Sequence, residues 1–471
     1  MYEQITFSFT PLSHSLLKMY SFDSYRDSFQ EQYQALLDKL VFPEISTTTY
    51  CIATLVICLP PIIALIIYER EQARLLAEQP TGCRKLGMNI ETNLANEYEQ
   101  KFSEGRPPST EETSAEWWRL KSLWIYPIKS CRGVELNRGT ICATGMHYDR
   151  QFAFAQLRSP FPVALQTSEK EKADHRWEVI TQKNFPRLAN IRTEMWVPDQ
   201  SVKSYTPHAE DVESGGVIVI SFPWQKSDWR GTVAKWGAAV KGTVPEKQFR
   251  VPFNPTPAQV EKIGYSHEKL SIWNDTITAL NMEIEIPEEL RYYLGISNKL
   301  GLFRTDTTKP INTTPENLNG GDSMSDRIVG FQDAYPVHLV NLATIRDIES
   351  KMVKTASTPR LSAASFRANL IITGPEAYHE NCWRRIKIGF YEYDALNRTS
   401  RVKPIEDSKD TQKRSDDTWN RVINEYRTEE KGPGLDVLDL GIQMAPLSGD
   451  SALRVGDEIT ILEVDAQSSF D

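Results

Sequence analysis

The chain has 471 residues, a formal net charge of −9 and a pI near 5.5. At roughly 100–200 residues per domain that length holds two or three domains and a buried core, and 40% hydrophobic with 25% charged content reads as globular. The acidic balance, with no long basic stripe, argues against nucleic acid as a partner. The six cysteines, without a CxxC pair or regular spacing, argue against a disulfide framework or a structural zinc site and fit a reducing compartment.

Residues 1–46 carry no readable signal. Residues 47–68 (TTTYCIATLVICLPPIIALIIY) are 22 positions without a charge, roughly 33 Å as a helix and enough to cross a hydrocarbon core. The segment starts too far into the chain for a cleaved signal peptide. It is expected to be a single transmembrane helix in contact with membrane lipid, kinked at Pro60 and Pro61. Lys39 and Arg26 precede it, whereas Arg70, Arg74, Arg84 and Lys85 follow, so the C-terminal side is expected to be cytosolic. Residues 69–118 begin with a helix-like stretch (EREQARLLAEQ) and continue through Gly82, Pro107 and Pro108 into Ser/Thr/Glu-rich text, the pattern of a juxtamembrane helix and tether. Order resumes at Trp117 and Trp118.

From residue 119 the pattern is one of short strands and frequent turns: VELNRGTICATG, RQFAFAQ, WEVITQ, ANIRTEMWV, GGVIVISF and KQFRVPF. A barrel or sandwich is the expectation. Helices are few. One is predicted at Pro287–Leu294, with proline in the first turn and Gly295 as its stop. A second starts at Asn341 as N-cap, with Leu342, Ile345, Ile348 and Met352 on one face. The chain closes with a turn and strand in RVGDEITILEV (454–464). The polar stretches 199–214, 305–326 and 403–433 read as surface loops.

YPIKSCRGVEL (126–136), GMHYDRQFAF (145–154), TQKNFPRLANI (181–191) and WNDTITAL (273–280) resemble the MOSC N-terminal β-barrel domain. FQDAYPVHLVN (331–341), SFRANLIITG (365–374), CWRRIKIG (382–389) and RVGDEITIL (454–462) resemble the MOSC domain, in that family's order. The resemblance extends to the membrane-anchored amidoxime-reducing components. It implies a mainly β (α+β) chain with a MOSC N-terminal barrel-like domain at 119–300 and a MOSC domain at 301–466, behind one transmembrane helix.

The resemblance also implies molybdenum cofactor, a molybdopterin whose anionic groups need cationic donors and N–H groups in one pocket. The family's cofactor-binding positions fall here on Lys129, Ser130, Arg150, Arg367, Asn369 and Arg401, with the Asp333–Pro336 turn as a further loop and Asp149 orienting Arg150. Taken alone, these residues also read as surface cations, ion-pair partners and turn residues. Where the amidoxime-reducing type places a molybdenum-ligating cysteine, the same count from Gly389 reaches Ser400, Arg401 and Val402, so the soft thiolate donor is replaced by an apolar side chain. Ala368 stands for the family's proline. Cys131 is the substitute thiol to weigh, against a small residue facing the barrel wall. The seven histidines show no metal-ligand spacing; His147, near Arg150, reads either as a substrate contact or as a loop histidine. The implied activity is an oxidoreductase at the outer mitochondrial or endoplasmic reticulum membrane that reduces an N-hydroxylated small molecule, with electrons from a cytochrome b5-type or flavin reductase. The alternative is a binding or scaffold protein of the same fold without turnover, favoured by Val402.

Overall fold

The computed structural model describes residue 31 and residues 46–77, 79–88, 91–105, 118–142, 144–159, 175–225, 227, 229–240, 242–272, 275–305, 330–332, 335–351, 360–401, 438–447 and 449–464. The expected loops 305–326 and 403–433 lie outside them apart from Thr305. The chain divides into two compact units, Met1–Arg70 and Glu71–Asp471.

The apolar segment is helical. Helix α1 (Thr47–Ala77) continues through Pro60 and Pro61 and beyond the apolar run into its charged end. Its stretch Thr47–Arg74 is long and apolar enough to cross a membrane by length and composition, and it exposes Ile52, Leu55, Val56, Ile57 and Ile62.

The second unit is mainly β. Its strands are β1 (Cys83–Lys85), β2 (Arg119–Ile125), β3 (Val134–Leu136), β4 (Arg138–Cys142), β5 (Gly145–Met146), β6 (Phe152–Arg158), β7 (Arg176–Val179) and β8 (Arg192–Pro198). The one-turn helix α2 (Glu210–Glu213) leads to β9 (Val217–Pro223), helix α3 (Trp229–Val240), β10 (Glu246–Pro252) and helix α4 (Pro257–Ile263). Then come β11 (Ser266–Ile272), β12 (Asp275–Asn281), helix α5 (Glu288–Leu294), β13 (Leu300–Arg304), β14 (Val337–Asn341) and helix α6 (Leu342–Lys351). The chain ends with β15 (Leu370–Thr373), β16 (Trp383–Ile388), β17 (Tyr391–Arg401), β18 (Leu438–Pro446), β19 (Ser451–Arg454) and β20 (Ile459–Val464).

Strands β11-β12-β13-β6-β7 close a barrel, and β1-β8-β9-β10 form a four-stranded sheet beside it. One apolar core joins them, with Phe154, Ile191, Ile218, Phe222 and Leu302 fully buried. The eight-stranded sheet runs β20-β16-β17-β18-β14-β15-β2-β3, and β19-β4-β5 make a small third sheet. The first strands after the tether therefore pair with the last part of the chain: β2 lies antiparallel to β15 and β4 to β19. Strand β13, across the expected domain boundary at residue 300, completes the barrel by pairing with β6 and β12.

The predicted short helices form where their caps are. Gly295 ends α5 in a left-handed conformation, and the Asn341 side chain accepts the Ala343 N–H at 3.2 Å at the start of α6. Three helices have no counterpart in the sequence reading. The one-turn α2 lies inside the expected loop 199–214. Helix α4 is closed by a capping box between Thr256 and Gln259. The third is α3.

The tether expected over 69–118 needs correction. Strand β1 pairs with β8, and Leu94, Glu97 and Phe102 are buried. Arg346 of α6 reaches Glu97 at 3.7 Å and Glu349 at 2.7 Å, and the Tyr98 ring lies 4.7 Å from the Arg346 guanidinium and 4.0 Å from that of Arg360. A few isolated anchors set in polar text give no periodicity, which is why composition alone reads as a tether.

Candidate functional site

The chain leaves β2 at Ile125, and residues 126–131 carry it from the large sheet to the barrel. The Tyr126 N–H donates to Asp149 Oδ1 at 2.7 Å, and the Lys129 N–H to the Phe152 carbonyl at 2.7 Å. Three of the expected site residues sit in the left-handed region: Ser130 at φ 68°, Arg150 at 46° and Arg367 at 56°. Such backbone costs side-chain-bearing residues about 1–3 kcal/mol and persists where the surroundings over-determine it, commonly at ligand sites. Gly145 (φ 107°) allows the nearby β4–β5 turn to approach; a Cβ there would stand 2.5 Å from the Pro336 carbonyl oxygen.

Tyr126, 2% exposed, is the centre of the cluster. The Arg150 guanidinium carbon lies 4.8 Å from the centroid of its ring and that of Arg367 lies 4.3 Å from it. Arg150 donates to Asp149 Oδ2 (2.6 Å), Asn369 Oδ1 (3.1 Å) and the Arg367 carbonyl (2.9 Å). Arg367 donates to the Cys131 carbonyl at 2.6 Å. Asn369 is fixed from both sides: its Nδ2 donates to the Trp124 carbonyl at 3.1 Å, and its Oδ1 also accepts the His338 N–H at 3.3 Å. Lys129 Nζ donates to the Phe331 carbonyl at 2.8 Å, and the Phe331 N–H returns to the Arg150 carbonyl at 2.7 Å. Ser130 Oγ accepts the Gln182 N–H at 3.3 Å.

Five of the six residues predicted to bind a cofactor are thus brought together by segments far apart in sequence. Asp149, fully buried, does orient Arg150. Replacing the proline by Ala368 leaves Arg367 and Asn369 in place. Arg401 ends β17 opposite Leu438; its side chain, Val402, and Asp333 of the expected turn lie outside the described residues. His147 is exposed, and its ring contacts that of Tyr148 at 4.3 Å. The sequence reading did not single out Tyr126, although it opens the YPIKS motif.

The donor set suits an anion: three cations, an amide and a hydroxyl on a rigid backbone, with fork-shaped guanidiniums among them. It does not supply a metal. Among the described residues no group of three or more His, Cys, Asp or Glu could hold an ion. Cys131 is packed into the barrel core with Ile128 and Phe152. Burial raises its thiol to about 12, against a smaller opposing pull from Arg367, so it stays protonated and is not a ready thiolate ligand.

The chain matches the MOSC N-terminal beta barrel domain over residues 117–238 and the MOSC domain over residues 326–460. It is a MOSC-domain protein. Its site is therefore formed where the two MOSC modules meet, with Lys129 and Arg150 from the first, and Phe331, Arg367 and Asn369 from the second.

The MOSC chain is 22% identical over 294 residues to a molybdenum cofactor sulfurase of Arabidopsis thaliana, covering 61% of this chain and 28% of the relative. It is 22% identical over 274 residues to mitochondrial amidoxime-reducing component 1 of Mus musculus, covering 58% of this chain and 61% of the relative. A segment of 91 residues is 26% identical to mitochondrial amidoxime reducing component 2 of Rattus norvegicus, covering 19% of this chain and 25% of the relative. The chain thus spans under a third of the sulfurase and about three fifths of the mouse protein.

Proposed function

We propose that this MOSC protein binds molybdenum cofactor through the Lys129, Arg150 and Arg367 cradle and, held at a membrane by α1, reduces N-hydroxylated small molecules. The observation that carries the reading is the convergence of Arg150 and Arg367 on Tyr126, joined to Asn369 through Arg150 and to Lys129 through Phe331. Anionic groups of a pterin would lie against Lys129, Ser130 and the two guanidiniums. Asp149 and Asn369 would hold Arg150 in place, and Arg401 would add a cation from the end of β17. When bound, the cofactor supplies the redox chemistry. Electrons come from a separate cytochrome b5-type or flavin reductase.

A second reading rests on Val402, where a thiolate donor is absent: cofactor binding, or scaffolding, without turnover. Molybdenum and pterin analysis of the full chain purified in detergent tests both. Near one of each per chain supports the cradle, and their absence overturns it. Bound cofactor with reductase-coupled turnover supports the enzyme. Bound cofactor without turnover, restored by Val402→Cys, assigns the second reading.

A further inference from the structure

Helix α3 packs the wrong way round for a helix of its composition. Its sequence, WRGTVAKWGAAV, turns Gly231, Gly237 and Ala238 inward, all of them buried. Trp229 (65% exposed), Trp236 (63%) and Val240 (70%) face outward. Steps of seven and eleven residues close about two and three turns at 3.6 residues per turn, so these three share one stripe. Val244, just past the helix, is 68% exposed as well. Burying the tryptophans would cover large apolar area, whereas small residues allow only a close, low-area contact. The fold instead sends the large rings outward, and contiguous exposed apolar groups of this kind mark an interaction surface.

We propose that α3 is a second membrane contact, in which Trp229, Trp236 and Val240 insert at the headgroup level of a bilayer whose surface is anionic. Two features favour lipid over a protein partner. First, tryptophan prefers the membrane–water interface, where its ring is apolar and its N–H wet. Second, residues 225–241 hold Lys226, Arg230, Lys235 and Lys241 against Asp228 alone, a local excess of positive charge along the sequence in a chain of net charge −9. Cations close in sequence to an interfacial aromatic stripe are drawn to anionic lipid over about a Debye length. A chain already held to the bilayer needs little additional affinity, because the second contact is intramolecular. The inference rests on anchoring by α1.

The test is quenching of tryptophan emission in the full chain reconstituted into phosphatidylcholine–phosphatidylserine vesicles, with part of the phosphatidylcholine bromine-labelled. Helix α1 contains no tryptophan. Wild type is expected to be quenched, and most of that quenching to vanish in Trp229→Phe/Trp236→Phe, which keeps the apolar stripe and the fold. Trp229→Gln/Trp236→Gln is expected to lose it equally, with unchanged circular dichroism. Omitting phosphatidylserine or raising salt should weaken the wild-type signal. Failure of the chain to float with vesicles at all overturns the anchor and this contact together. Flotation with quenching that the two substitutions leave intact overturns this contact alone. So does unquenched emission with a detergent-soluble dimer that Trp236→Lys dissociates, which would assign the stripe to a second copy of the chain.

Discussion

Asp149 holds two parts of the site at once: Oδ1 accepts the Tyr126 N–H and Oδ2 the Arg150 guanidinium, both inside the fold. Asp149→Asn keeps the volume but removes the charge facing Arg150, and one-sided loss of a buried pair costs about 3 kcal/mol. The expected outcome is a lower denaturation midpoint together with lower cofactor content; unchanged stability would show that Arg150 is held by Asn369 and the Arg367 carbonyl instead. Cys131 makes a different prediction. With the folded thiol near 12 and the ordinary value at 9.0, the unfolded chain releases this proton first as pH rises. The contribution is thus intact below about pH 9 and is lost as pH climbs towards 12. Cys131→Ala should flatten the alkaline fall in stability. Mass mapping should find Cys131 unalkylated in the native chain at pH 8, and rapid native alkylation would contradict the burial.

At the scale of elements, the docked segment 91–105 depends on one ion network. Glu97 accepts the Ala363 N–H at 2.8 Å and faces Arg346; Arg346 also pairs with Glu349 and donates to the Leu361 carbonyl. Burial pushes the Glu349 carboxyl up, but hydrogen bonds from Arg360 and the Leu361 N–H, with the charge of Arg346, bring it below its ordinary 4.5. Its contribution is therefore present above that pH and lost as pH falls through the lowered folded value. Arg346→Met leaves two buried carboxylates without their shared cation and should cost about 3–5 kcal/mol. It should also open residues 91–105 to limited proteolysis, as acid should in wild type; a resistant segment in the variant would mean that Leu94, Phe102 and the bonds of Asn93 to Glu135 and Asn96 to Lys121 suffice to hold it. This element was not legible in the sequence, because its anchors are single residues paired with scattered partners, from Asn96 with Lys121 to Glu97 with Ala363 and Arg346. Strands β6, β9 and β20 were legible, since alternation or an apolar run bounded by glycine states them locally. So was α6, from Asn341 and a clean 3.6 period. Helix α3 was missed because its large apolar residues face outward, and a periodicity that points away from the core does not predict burial. The site was legible only as residue types in order; that Arg150 and Arg367 both stand against the Tyr126 ring follows from tertiary pairing that no local pattern contains.

The unit Glu71–Asp471 is interlocked in a way that its two sequence modules conceal. The first module begins at residue 117, yet β2 pairs with β15 and β4 with β19, so its opening strands are completed only by the second module. Leu120, Leu123, Ile125 and Ile141 are at most 1% exposed and belong to the same core as Leu339, Ile372, Ile386 and Leu453. A fragment ending at residue 305 would leave those four side chains uncovered, at roughly 1.5–3 kcal/mol each, along with an unpaired strand edge that invites aggregation. Residues 71–305 expressed alone are therefore expected to fail to give a cooperative unfolding transition. In the full chain, tryptophan fluorescence and far-ultraviolet circular dichroism should report one coincident transition, because barrel and large sheet cannot separate without breaking the bonds of Arg150 to Asn369 and the Arg367 carbonyl and stripping Leu86 and Tyr148, which pack against both cores. Two resolved transitions, or a soluble 71–305 fragment with a cooperative melt, would mean that the barrel folds independently. The site would then be assembled only on docking, since Lys129 and Arg150 would fold with one body and Arg367 and Asn369 with the other. Cofactor binding would in that case stabilise the junction and shift only the later transition, a signature that a singly cooperative chain cannot give.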